Sequence, residues 1–265
     1  GGMGTVYEAT DRTLKMQVAI KVMRKDGLED PEDTRRFFQE VRVLKRLRHE
    51  NVVAAQEVFK LGEQPAFSME LLQGETLAEH VLQHGPLKPE RVVMVMKQIL
   101  GGLQYMHDKK IWHRDLKPQN VMLCREDNVK ILDFGIAKAA TQMHETKAGE
   151  IKGKLCYMSP EQITGRRLDR RSDIFSLGIV LHELTTLSKP FGAGADLMTV
   201  NAIVNDEPRR ASDIIHGYSE ELWAIVSRCL EKQREARFAN AYEPQVQLEK
   251  FIRRSGEFVS HRDIG

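Results

Sequence analysis

The sequence predicts an α+β chain in two unequal parts, and three observations carry that expectation. Short β-rich runs extend to about residue 72, mostly helical stretches follow to about residue 254, and the extended run FSMELL ends at Gln73 and Gly74, which read as the joint between them. The expected boundaries are therefore 1–72 for the small part and 73–254 for the large one, with 255–265 as a tail or linker.

The elements follow in order. Gly1, Gly2 and Gly4 crowd the start, GGMGTVYEA, and let backbone approach a ligand closely; TVYEA reads as a strand, whereas a dinucleotide fingerprint would demand a helix there. No GxxxxGK[ST] occurs, so the P-loop class is not supported. Val18, Ile20 and Val22 alternate with Ala19 and Lys21, the period of a half-buried strand. Asp30 and Pro31 suit the cap and first position of a helix whose stripe is Phe37, Val41 and Leu44. Glu40 falls on or beside that stripe, where a carboxylate needs a cation; Arg36, one turn back, is the local source. From Pro89 to His107 the residues Val92, Val93, Met96, Ile99, Leu100, Leu103 and Met106 recur with helical spacing. SDIFSLGIVLHELTT, from Ser172 to Thr186, is apolar nearly all round and predicts a buried central helix, with Asp173 at its N-terminus held by backbone donors.

Composition narrows the function classes. The 265 residues carry 40 Lys and Arg against 38 Asp and Glu, a net charge of +2, so no charge excess points to nucleic acid or a membrane surface. Hydrophobic residues at 41% and charged residues at 29% are those of a folding globular chain. Cys124, Cys156 and Cys229 lie far apart with no CxxC pair, which argues against a disulfide framework or zinc ribbon and for a reducing compartment. No apolar run is long enough to span a membrane and no signal peptide opens the chain. The first residue is Gly rather than Met, so the natural protein is expected to extend further.

The chemistry concentrates in HRDLKPQNVML, His113 to Leu123, followed by VKILDFG, Val129 to Gly135. Arg125 to Asn128 form a turn cluster, so VML and VKIL should pair as a hairpin. Its open ends then bring Asn120 beside Asp133, with Asp115 a short loop away. Two hard oxygen ligands converge, as Mg²⁺ requires, and a separate carboxylate remains to orient a hydroxyl and take its proton. Lys117 adds a cation for phosphate oxygens.

VAIK at Val18 to Lys21, HRDLKPQN at His113 to Asn120, DFG at Asp133 to Gly135 and SPE at Ser159 to Glu161 resemble the protein kinase family in order and spacing. The opening and the YMSPEQ run look most like bacterial serine/threonine kinases of eukaryotic type. The resemblance covers nearly the whole chain and implies a bilobal kinase fold, with a β-rich small lobe lacking its first strand and a helical large lobe. It implies ATP with Mg²⁺, or Mn²⁺ as a substitute, and protein substrates bearing Ser or Thr.

Residue by residue, the resemblance puts Lys21 on the α- and β-phosphates and pairs it with Glu40. It makes Asp115 the base, assigns Lys117 to the transferred phosphoryl group, and gives the metal to Asn120 and Asp133. Gly1, Gly2, Gly4, Val6, Ala19, Met69, Glu70 and Leu72 would line the nucleotide, Met69 as gatekeeper. Leu44, His113 and Phe134 would belong to the hydrophobic spine. Asp133 to Glu161 would form the activation loop, with Thr146, and after it Thr141, as phosphosites and Arg114 receiving the phosphate. Arg237 would pair with Glu161. Lys154 stands where such kinases usually carry threonine, and Phe175 replaces a usual tryptophan. A dimer that phosphorylates itself in trans and a cytoplasmic place, as part of a larger and membrane-anchored protein, are the further expectations. A pseudokinase would lack one of Lys21, Asp115, Asn120 or Asp133, and none is lost; against a small-molecule or lipid kinase stand the SPE motif and the buried helix.

Overall fold

A computed structural model of the chain describes residues 4–23, 31–132, 155–192 and 196–255. Two antiparallel hairpin-like units build the small part. β1 (Gly4–Asp11) pairs with β2 (Met16–Met23), and β3 (Ala55–Leu61) pairs with β4 (Gln64–Glu70), whose other edge joins β2, giving the order β1-β2-β4-β3. At Gly4 the strands come close enough that an added Cβ would stand 2.3 Å from the Val22 carbonyl oxygen, so the glycine serves the sheet itself. β2 is covered more fully than simple alternation predicts. Val18, Ala19, Val22 and Met23 are all buried and Ile20 is half-buried, so burial along β2, a strand paired on both edges, does not follow the alternation.

α1 (Pro31–Leu44) starts at the expected proline; Asp30, its expected cap, lies outside the described residues. Phe37, Val41 and Leu44 are buried as the stripe requires, and Phe37 meets Phe67 of β4 at 6.1 Å between ring centroids.

A second sheet, β5 (Gly74–Thr76), β6 (Val121–Cys124) and β7 (Val129–Ile131), begins the large part. Gly74 has φ +152°, and a Cβ there would stand 2.1 Å from the Leu123 carbonyl oxygen, so only glycine lets β5 lie against β6. The helices are α2 (Leu77–His84), α3 (Pro89–Asp108), α4 (Pro160–Ile163), α5 (Arg171–Thr186), α6 (Asp196–Asn205), α7 (Glu220–Cys229) and α8 (Tyr242–Ser255). All seven apolar residues expected on α3 are buried. In α5 every side chain from Ser172 to Thr186 except Glu183 is buried, which makes it the centre of the large part. Each fully buried leucine or phenylalanine there is worth about 1.5–3 kcal/mol over exposure.

The parts are joined at β7. Ile131 donates its N–H to Asn51 and accepts from Val53, and the Lys130 ammonium pairs with the Glu70 carboxylate at 2.9 Å. No helix among the described residues is long and apolar enough to cross a membrane.

Candidate active site

The expected β6–β7 hairpin forms, with Val121 opposite Ile131 and Leu123 opposite Val129. Leu132 then donates its N–H to the Asn120 carbonyl at 2.8 Å, which fixes the residue before Asp133 against Asn120. A short 3-10 turn, Pro118–Asn120, carries the chain back toward Asp115. The Asn120 amide nitrogen donates to the Asp115 carbonyl at 2.8 Å and to its carboxylate at 3.1 Å, and the Lys117 ammonium stands 3.5 Å from the same carboxylate oxygen. Sequence-distant groups are not needed for this triad; the turn alone assembles it.

The loop beneath is held from α5. The Asp173 carboxylate accepts from the backbone N–H of His113 at 2.9 Å and of Arg114 at 2.8 Å, and from His107 Nε2 at 2.8 Å. Burial pushes the Asp173 carboxyl up, but the His107 bond, the electrostatic influence of His107 and His113 and the Arg114 amide outweigh it and hold the group below its ordinary range. Arg114 adopts φ +62°, a conformation that costs a non-glycine residue about 1–3 kcal/mol. Charge-assisted bonds to Asp173 hold it there. The His113 ring completes the turn: Nε2 donates to the Leu132 carbonyl at 2.8 Å, and Nδ1 accepts from the Asp115 N–H at 3.2 Å, so the proton sits on Nε2.

A further support lies behind the loop. The Arg237 guanidinium grips Glu161 at 2.7 and 2.9 Å, with Ser172 Oγ donating to the same carboxylate at 2.7 Å. Burial raises the Glu161 carboxyl, and the Arg237 and Ser172 bonds bring it below its usual range. Ser159 caps α4 through a reciprocal box with Gln162, whose amide nitrogen also donates to the Arg114 carbonyl at 2.8 Å. Sequence reasoning missed Gln162 and His107. For His107 a signal existed: a lone histidine at the end of an apolar helical stripe, buried completely.

The small sheet supplies the opposite wall. Its register puts Val6 opposite Lys21, Glu8 opposite Ala19, and Ala19 opposite Met69, so Val6, Ala19, Lys21 and Met69 share one face. Ala19 is buried, Lys21 and Met69 are half-buried, and Val6 is open to solvent. The Glu70 N–H donates to Ala54, so any bond from Glu70 to a ligand must come through its carbonyl. Leu44 and His113, the expected spine members, are both buried. Gly1, Gly2, Asp133, Phe134, Thr141, Thr146 and Lys154, and the Glu40 side chain, lie outside the described residues.

A two-part α+β chain with this hairpin-borne loop has the architecture of a protein kinase, and the sequence matches the protein kinase domain family over residues 1–248: the chain belongs to that family. Its relatives are bacterial serine/threonine kinases. It is 34% identical to serine/threonine-protein kinase PknL of Mycobacterium tuberculosis over 94% of this chain and 62% of that protein. It is also 38% identical to the probable serine/threonine-protein kinase SCO3848 of Streptomyces coelicolor, over 94% of this chain and 38% of that protein. The chain thus spans between about two fifths and three fifths of the length of these relatives. Among solved structures, the PknI kinase domain of M. tuberculosis superposes with a TM-score of 0.75 at 23% identity, covering 94% of this chain and 92% of that one.

The family uses ATP and a divalent metal. The residues described here fit such an ion. With its amide nitrogen committed to Asp115, Asn120 is left with a hard amide oxygen at the mouth of the hairpin, beside the residue that precedes Asp133.

Proposed function

We propose that this protein transfers the γ-phosphoryl group of ATP to serine or threonine hydroxyls of proteins. The observation that carries the reading is the fixed Asp115 carboxylate, turned by the Asn120 amide and the Lys117 ammonium at the open end of the hairpin. Asp115 orients the substrate hydroxyl and accepts its proton as the oxygen bonds to the γ-phosphorus and the bond to the β-phosphate oxygen breaks, releasing ADP. Lys117 neutralises charge on the transferred group, and Lys21, paired with Glu40, holds the α- and β-phosphates. Asn120 and Asp133 hold Mg²⁺, or Mn²⁺ in its place, which supplies charge neutralisation on the phosphates when bound. Val6, Ala19 and Met69 enclose the adenine, with the backbone of Glu70 and Leu72 and the Gly1, Gly2 and Gly4 segment around it.

Regulation follows from Arg114. Its Nε is buried without a hydrogen-bond partner among the described residues, a cost that an incoming phosphate on Thr146 or Thr141 would remove. The unit 1–72 acts as the nucleotide wall, 73–254 as the peptide-docking lobe, and 255–265 as a linker; autophosphorylation proceeds in trans within a dimer of a cytoplasmic catalytic domain.

The test is the intact mass of the purified chain after incubation with Mg²⁺ and ATP, beside Asp115→Asn. Phosphate additions are expected in the unaltered chain alone, and peptide mapping should place one on Thr146. Equal additions in Asp115→Asn would remove the assigned base.

A further inference from the structure

Outside the active site, one cluster brings three metal-ligating groups to a single place. Glu75 lies in β5, and His80 and His84 lie one turn apart on α2. Glu75 Oε1 stands 2.6 Å from His80 Nδ1 and 3.9 Å from His84 Nδ1, and one ligand atom from each residue lies within 4.8 Å of the others. The two imidazole rings stack at 4.5 Å between centroids, tilted by 26°.

The support is rigid. Thr76 and Glu79 form a reciprocal capping box at the start of α2, and Glu75 pairs with Leu123 in the β5–β6 ladder, so the carboxylate and the helix are fixed from both sides. His80 is almost fully buried, whereas the His84 side chain is 56% exposed, which gives one anchored ligand and one facing solvent.

We propose that Glu75, His80 and His84 bind a divalent transition-metal ion, Zn²⁺, with water in the fourth position. Zinc bonds of about 2.0–2.2 Å put neighbouring tetrahedral ligand atoms about 3.3–3.6 Å apart. The observed 2.6 and 3.9 Å separations straddle that range, so small side-chain rotations close the site. Two imidazoles and one carboxylate suit zinc far better than magnesium, so this ion does not compete for the nucleotide's metal. Binding at Nδ1 leaves each imidazole with its proton on Nε2: His80 gives up the Nδ1 hydrogen it shares with Glu75, and His84 the one it donates to the His80 carbonyl at 3.1 Å. The bound ion ties β5 to α2 directly after the Met69–Leu72 segment. The proposal does not depend on the catalytic reading.

The test is equilibrium dialysis of the full chain against ZnCl₂ without nucleotide, with metal counted per chain, alongside His84→Gln, Glu75→Gln and a Cys124→Ser, Cys156→Ser double variant. One zinc per chain is expected in the wild type and in the cysteine variant. In His84→Gln, whose exposed side chain contributes nothing to the core, affinity should fall by more than the roughly 10–100-fold that loss of an outer-shell partner costs. Absence of saturable binding in the wild type, or unchanged affinity in both His84→Gln and Glu75→Gln, overturns the site and leaves a hydrogen-bonded Glu–His pair with a stacked neighbour.

Discussion

The floor under Asp115 and the sheet face opposite it are built on different principles. The floor is polar and sealed: Asp173 is 1% exposed and His107 fully buried, and the loop's backbone N–H groups are bound from α5. The sheet face that carries Val6, Ala19 and Met69 is more open: Val6 is 51% exposed and Lys21 and Met69 are half-buried, and among the described residues β1 pairs along one edge. Fixed hydrogen bonds in a dry interior hold a proton acceptor within a fraction of an ångström. On the proposed reading, the broad aromatic face of a nucleotide needs shape alone, which an open strand can supply while still letting the ligand leave.

Four experiments break or sharpen that contrast. The largest effect belongs to Asp115→Asn: turnover should fall by about 10²–10⁴-fold, the usual contribution of a positioned base, while the melting temperature stays put. Activity measured beside a thermal melt checks both halves, and a large loss of stability would move Asp115 from the chemistry into the floor.

Next is Asp173→Ala, which strands three buried donors. Breaking such a site from one side costs about 3–5 kcal/mol, so urea unfolding should shift strongly and turnover should fall with it. A variant as stable as the wild type would show that the floor does not hold the loop.

Third is acid. Glu161 and Asp173 have folded pKa values below their ordinary 4.5 and 3.8, so the stability they add is present above those values and is lost as pH falls through the lower folded ones. His182, whose pKa burial holds below 6.5, acts earlier: the unfolded chain gains its proton first, so stability begins to decline as pH drops past 6.5. Denaturant midpoints measured from pH 7 to pH 3 should fall in these two stages, and a flat profile would contradict both. The smallest effect is Val6→Ala, which should leave stability within about 0.5 kcal/mol, as for other exposed positions, and raise the KM for ATP. An unchanged KM would take Val6 out of the nucleotide wall.

What could be read without coordinates follows the range of the interactions. The hairpin and the placement of Asn120 beside the run that ends in Asp133 were legible because a turn cluster and two short strands set them within twenty residues. The buried α5 and the need of Asp173 for backbone donors were legible too, since an acid at the start of an apolar helix has few other solutions. For His107 the end of the apolar stripe marked a buried position but not its partner, because Asp173 lies 66 positions further along the chain. The pairing of Arg237 with Glu161, 76 positions apart, was reached through the family resemblance rather than through any local pattern. The half-buried reading of β2 was incomplete because alternation describes one strand, whereas Val18 and Ala19, on opposite faces, are both buried in a strand flanked by its neighbour β1 and by β4 from far along the chain. Glu75, His80 and His84 had a visible signal in the four-residue histidine spacing, without the β5 pairing that brings the carboxylate to it.

The grip of Asp173 on His113 and Arg114 has a consequence for the order in which the chain is made. A ribosome exposes the HRDLKPQN segment some 60 residues before the acid that shapes it. Until α5 has emerged and packed, the segment can fold its hairpin but cannot hold Arg114 in its left-handed conformation. On the proposed catalytic reading, the nascent chain carries the side chains of that segment before the floor that fixes its backbone exists.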